Sequence, residues 1–279
     1  MKLRIVPASQ GVAWARQGLQ TCLRQPLGFT GLVGMVMAGA LLLAGVPLIG
    51  PLLVVTLMPL SWMGFMLATR RVVVGERLNP GVLVEAVRAP DSPRVAFAQL
   101  GAAYLVATVL VMVLAQLLGP GAQALADVME SADDASQVLS NPEVMADMAW
   151  RMGLTMPVSL LFWHTPALVL WARLPVGKAL FFSAVASWRN LGAFLIYGLV
   201  WLGAMAALAV LSQVVHAALP VPALSNILTF VGVLWLVGSF YASLYYSVVD
   251  CFEFPRGEAD QGVGTNIGTD TDRDPHSDN

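Results

Sequence analysis

Three polar positions in this chain could do chemistry, and all three lie in apolar surroundings. His164 sits in Phe162-Trp163-His164-Thr165-Pro166. An imidazole titrates near neutral pH, so it could relay a proton or hold a solute. An ionisable group at bilayer depth is expensive and marks function more often than elsewhere. The commoner alternative is a neutral imidazole bonded to a backbone carbonyl that Pro166, having no N–H, leaves free. Tyr241 belongs to the run Ser239-Phe-Tyr241-Ala-Ser243-Leu-Tyr245-Tyr246. It is expected to pair across helices, whereas Tyr245 and Tyr246 read as anchors at a membrane surface. Asp250 follows, at a level near Arg173 and Arg189. An interfacial ion pair is its expected role and proton coupling the rarer one.

The rest of the chain offers no catalytic signature. It has no His-Glu-x-x-His, no phosphate loop ending in Gly-Lys-Ser/Thr, no Gly-x-Ser-x-Gly elbow and no Cys-x-x-Cys. His164, His216 and His276 are far apart, and the apolar segments supply no further ligands, so neither a metal nor a cofactor is expected. The expectation is a protein that is not an enzyme. Cys22 and Cys251, the 2 cysteines, fall on the arginine-rich side of the plan below, where thiols stay reduced. A net charge of −2 creates no basic field for nucleic acid.

These residues must be positioned by segments that water does not solvate. Hydrophobic residues make up 57% of the 279 and charged ones 11%, where a soluble domain carries about 25% charged. Six stretches are long enough to cross a bilayer, at about 28–46, 48–69, 96–118, 153–172, 192–216 and 224–249. Neither 26–69 nor 190–249 contains a single Lys, Arg, Asp or Glu. In lipid each peptide group must be satisfied within the protein, so such runs are helices; the alternation of a membrane barrel is absent. The predicted class is therefore all-α, a polytopic membrane protein with six transmembrane helices. If the spans alternate, only Arg151 of the 15 Lys and Arg lies away from the side that carries both termini. The positive-inside rule puts that arginine-rich side in the cytoplasm of a bacterial inner membrane. The first 26 residues lack a continuous apolar core, so they do not read as a cleaved signal.

The spans pair as three hairpins, each preceded by a short segment that begins at Gly and ends in Arg: Gly11–Arg24, Gly81–Arg88 and Gly177–Arg189. In the first, Val12, Ala15, Leu19, Cys22 and Leu23 share one helical face and Arg16, Gln17, Gln20 and Arg24 the other. This is the pattern of a helix lying along the inner leaflet. A threefold internal repeat of interfacial helix, span and span is the expected organisation. The acidic outer connection, residues 119–151, has a helix start at Asn141-Pro142-Glu143 and could serve as a lid or as a plain connector. Pro59, Pro157 and Pro166 interrupt spans two and four, which other groups must repair. Residues 255–279, rich in Gly, Thr and Asp, are expected to form a disordered cytoplasmic tail.

With these features the chain resembles an uncharacterised family of six-span inner-membrane proteins from proteobacteria. The resemblance is carried by Met1-Lys-Leu-Arg-Ile-Val-Pro-Ala-Ser-Gln-Gly-Val-Ala-Trp14, by Phe162-Trp163-His164-Thr165-Pro166-Ala167-Leu168, by Gly177-Lys-Ala-Leu-Phe-Phe-Ser183 and by Trp188-Arg189-Asn190. It covers about residues 1–254 and implies an integral membrane protein of unassigned function, with no catalytic residues to carry over. Two function classes follow. One is a non-enzymatic membrane component acting through lipids, a membrane-protein partner or a homo-oligomer. The other is a small transporter or channel with a cavity near His164. The first is favoured, because a solute pathway ordinarily carries charge in its spans.

Overall fold

The computed structural model describes residues 2–131, 135–219 and 221–254; the expected tail at 255–279 lies outside them. A two-residue strand β1 (Lys2–Leu3) leads into α1 (Gln10–Arg24), α2 (Pro26–Ala44) and α3 (Gly50–Val73). Next come α4 (Val82–Arg88), α5 (Arg94–Leu118), α6 (Gly121–Ser131), α7 (Ala135–Ser140), α8 (Pro142–Phe162) and α9 (Thr165–Trp171). The chain then forms α10 (Val176–Arg189), α11 (Leu191–Ala218), α12 (Pro222–Cys251) and a second short strand, β2 (Phe252–Glu253). Six helices are long and apolar enough to cross a membrane: α2, α3, α5, the α8–α9 pair, α11 and α12. The fourth span begins earlier than its apolar pattern suggests. Asn141 Oδ1 accepts the Glu143 N–H at 2.9 Å and Pro142 occupies the first turn, so helix starts within the acidic connection.

Helix α4 packs on α3 and α10 on α8 and α9, each on the second long helix of the hairpin before it, and α1, first in the chain, packs on α12 of the last hairpin. Second helices also meet the first helix of the next hairpin at two junctions, α3 with α5 and α12 with α2. At the third junction, between α8 and α11, there is a cleft instead of a packed seam.

The buried core gathers at the arginine-rich end. On α12 the exposed large apolar residues run from Leu224 to Val233, and burial of apolar side chains begins at Leu234. The opposite half of the bundle thus presents apolar side chains outward, as lipid-facing helices do. The two ends of the described chain are tied together beneath this core. Lys2 and Leu3 pair antiparallel with Glu253 and Phe252, the Arg4 N–H donates to Cys251 O at 2.9 Å, and Arg4 ion-pairs with Glu253.

Helix α1 departs from the sequence expectation. Gln10 and Trp14 meet Asp250, Gly18 abuts Ser243 and Ser239, and Cys22 reaches Trp235 O. It therefore runs antiparallel beside α12 instead of lying flat along a leaflet. Its packed face is Gly11, Trp14, Ala15, Gly18, Thr21 and Cys22, while Val12 and Leu23 are exposed. Small residues let two backbones approach closely, and that contact outweighs the burial of two aliphatic side chains.

Candidate functional site

His164 lies where span four breaks. Residues 163 and 164 leave the helix between α8 and α9. In an unbroken helix the His164 N–H would donate to Leu160 O. Here it donates to Ser183 Oγ at 3.1 Å, and Ser183 Oγ donates onward to Leu160 O at 3.1 Å. One hydroxyl from α10 thus stands inside the helical ladder, a recognised cause of a kink. Ser187 Oγ adds a second bond to Leu160 O at 3.1 Å, and Thr165 Oγ1 caps Leu161 O at 2.9 Å. Pro166 forces the break, and serines on α10 repair it.

The His164 ring takes no part in that repair. It is fully buried, and neither ring nitrogen has a hydrogen-bond partner among the described residues. It stands edge-to-face between Phe194 at 5.7 Å and Phe252 at 5.2 Å. Since Phe194 opens α11 and Phe252 follows α12, His164 lies at the arginine-rich end of the bundle and not mid-span. This corrects the expected bond to a freed carbonyl: the ring bonds none, and hydroxyls, which carry both a donor and acceptors on one small atom, serve the carbonyls of Leu160 and Leu161 at the break.

Around His164 the aromatic side chains form one connected cluster. The Trp163 ring meets Phe194 at 5.5 Å, Tyr197 at 5.7 Å and Phe240 at 6.0 Å, and its Nε1 donates to Ser247 Oγ at 3.0 Å. Tyr197 shares a 2.5 Å hydrogen bond with Ser243. Asn190 ties the floor together: its Oδ1 accepts the Val6 N–H at 2.8 Å, and its Nδ2 donates to Arg4 O at 3.1 Å and Ala186 O at 2.9 Å.

Asp250 and Tyr241 belong to neighbouring parts of this end. Asp250 Oδ2 accepts from Gln10 Nε2 at 2.6 Å and from Trp14 Nε1 at 2.8 Å. Of the two arginines expected near its level, Arg173 pairs instead with Asp91 at 2.5 Å, and no ion pair of Asp250 with Arg189 is formed among the described residues. Asp250 is thus the acceptor that latches α1 onto α12. Tyr241 does pair across helices, stacking on Phe65 with ring centres 4.7 Å apart and planes 13° apart. Tyr246 bonds Thr21 of α1 at 2.5 Å, and Tyr245 packs edge-on to Trp171 at 5.9 Å. On α1, burial pushes the Cys22 thiol up, only partly offset by a hydrogen bond with Ser239. A neutral buried thiol is inert.

Sequence reading missed Ser183, Ser187 and Asn190. Their signal was present in the third short segment, where Ser183 and Ser187 are spaced i, i+4 on one face of α10 and Asn190 follows its last turn.

Three apolar clefts run between long helices from this aromatic cluster toward the opposite half of the bundle, while a smaller one of 190 Å³ lies among Arg70, Arg71, Glu76 and Glu85 at the arginine-rich end. A 320 Å³ cleft lies among α2, α3 and α12, and a 470 Å³ cleft between α11 and α12; Tyr241 lines both. A third, of 570 Å³, lies between α8 and α11, with Trp163 and Phe194 separating it from His164. No group of His, Cys, Asp and Glu among the described residues could hold a metal ion.

Six apolar helices around an aromatic core define an integral, multi-pass membrane protein. A probable inner membrane protein of Burkholderia thailandensis is 32% identical to this chain over 260 residues, which is 90% of this chain and 94% of the relative. The chain belongs to that family of inner-membrane proteins. No family model matches it, and no solved structure does.

Proposed function

We propose that this protein is a non-enzymatic component of the inner membrane that works through lipids or a membrane-protein partner, with both ends of the described chain in the cytoplasm. The observation that carries this reading is the character of the three clefts. Each lies between neighbouring helices and is lined mainly by apolar side chains. Surfaces of this kind suit acyl chains or a partner helix, whereas a solute path needs convergent polar groups. The interior agrees: among the described residues, the buried ionisable side chains other than Tyr and Cys are Asp147, which is paired with Arg151, and His164. The cytoplasmic placement rests on the crowding of Lys and Arg on one side of the six-span plan. The test is capture of the tagged full chain in mild detergent, followed by lipid and protein mass spectrometry. A specific lipid or membrane protein that co-purifies supports the reading. Uptake of a water-soluble solute by vesicles carrying the pure protein overturns it.

One observation favours a second reading, a small transporter with its site near His164. Both nitrogens of that buried imidazole are without hydrogen-bond partners among the described residues, and a buried polar group left unpaired calls for an explanation. A well-folded His164→Gln protein that fails to complement a deletion strain would promote this alternative.

A further inference from the structure

The open junction between α8 and α11 carries its own description of what fills it. Its floor is aromatic, made by Trp163, Phe194, Tyr197, Trp201 and Phe240. Its rim includes the exposed Met152, Met156 and Leu195, so the 570 Å³ cleft opens sideways onto the surface that a bilayer would cover. One charged residue lines it: Arg151, at the end nearest the start of α8. Arg151 Nε donates to Asp147 at 2.6 Å, and the other donors of the guanidinium have no partner among the described residues. Asp147 is the charge in contact with it, and the other described charges of the outer connection are also acidic, Glu143 on α8 and Asp127 and Glu130 on α6, which packs on α8.

An arginine fork binds phosphate well. Asp147 beside it and the other acids of the outer connection decide which phosphate. A headgroup carrying net negative charge would be repelled by them, while one whose phosphate is joined to an ammonium would satisfy both signs. We propose that this cleft holds an acyl chain of a phospholipid with a zwitterionic phosphoethanolamine headgroup, its phosphate on Arg151 and its ammonium toward the acids of α6 and α8. This rests on the reading of a protein that works through lipids, and names the lipid class.

The test uses the full chain in mild detergent, offered equal amounts of phosphatidylethanolamine and phosphatidylglycerol and read by native mass spectrometry. Wild type should retain phosphatidylethanolamine preferentially and melt higher in its presence. Gly198→Leu should lose both effects. Gly198 lines the cleft, and a Cβ there meets nothing within 4 Å, so the leucine fills the space while the lipid-free protein melts as wild type. Arg151→Lys keeps Asp147 neutralised but lacks the fork, and should retain lipid with the headgroup preference lost. Retention unchanged in Gly198→Leu, equal or better retention of phosphatidylglycerol by wild type, or a dimer that Gly198→Leu dissociates would each overturn the proposal. Solute uptake dependent on His164 would overturn the proposed function while leaving this result standing, so the two fail separately.

Discussion

Ser183 stands where a peptide hydrogen bond would otherwise run. It accepts from the His164 N–H and donates to Leu160 O, so removing it orphans the His164 N–H, while Ser187 still serves the Leu160 carbonyl. Ser183→Ala should therefore destabilise more than Ser187→Ala. The difference should be about 1 kcal/mol, read as the gap between their melting temperatures in detergent; equal losses would mean that Ser183 does not hold the break. His164 invites the opposite experiment. Its ring makes no hydrogen bond among the described residues, so His164→Leu sacrifices none and removes two buried polar atoms. The leucine variant should melt at or above the wild-type temperature. A marked fall would reveal a partner for the imidazole, and wild-type melting with failed complementation would reveal a chemical role. At this scale the sequence showed that Pro166 breaks the span and that His164 is buried beside the break. It could not show which group repairs the ladder, because that group comes from a helix about 20 residues away and the choice between imidazole and hydroxyl depends on packing.

Helix α1 is held by close backbone approach. A Cβ on Gly18 would lie 2.6 Å from Ser239 O, and one on Gly11 would lie 2.2 Å from Ala193 O. Both obstacles are backbone, so neither can swing aside. Gly18→Val should force α1 from α12 and cost about 1–3 kcal/mol. Gly31→Ala on α2, where a Cβ meets nothing within 4 Å, should be neutral or gain up to about 1 kcal/mol through helix propensity. Detergent melting of the two variants side by side tests this, and equal behaviour would mean that α1 is not seated on α12 as described. Asp250→Ala should act in the same direction as Gly18→Val by stranding the Trp14 N–H. The helical period of α1 was legible in its sequence, but its working face was not. Ranking positions by hydrophobicity selects Val12 and Leu23, which the structure leaves exposed, because a wheel measures affinity for an apolar phase and carries no information on how near two helices come. The serines of α12 have the same history. Ser239, Ser243 and Ser247 are buried at i, i+4 and i+8 because α1 and the aromatic cluster cover that face, a contact between helices more than 200 residues apart in sequence that no local window contains.

For the whole molecule, the segregation of charge and the run lengths of apolar residues made the six helices readable before any coordinates. Both signals come from the solvent: hydrocarbon excludes charges and demands a fixed length of helix, so they survive without tertiary detail. The same two signals decide orientation, which the arrangement of helices alone does not. Glu76, in the exposed turn after α3, lies among Arg70, Arg71 and Arg77; Glu130, exposed on α6, lies in the acidic connection. If the arginine-rich end faces the cytoplasm, a cysteine at 76 is sheltered by the membrane in intact spheroplasts and one at 130 is not. The background is simple to prepare, since Cys22 and Cys251 are buried and are the only cysteines; both are replaced by Ala so that each variant carries one thiol. An impermeant maleimide should label Glu130→Cys at once and Glu76→Cys only after lysis. Moving cations should then matter more than moving acids, because Lys and Arg set topology and Asp and Glu contribute little. Replacing Arg70, Arg71 and Arg77 with Gln should let some chains insert inverted, seen as labelling of Glu76→Cys in intact spheroplasts, whereas neutralising Glu130 and Glu143 should leave the pattern unchanged. Labelling at 76 but not at 130 in the unmodified charge background would reverse the orientation and, with it, put the clasp between β1 and β2 on the periplasmic side.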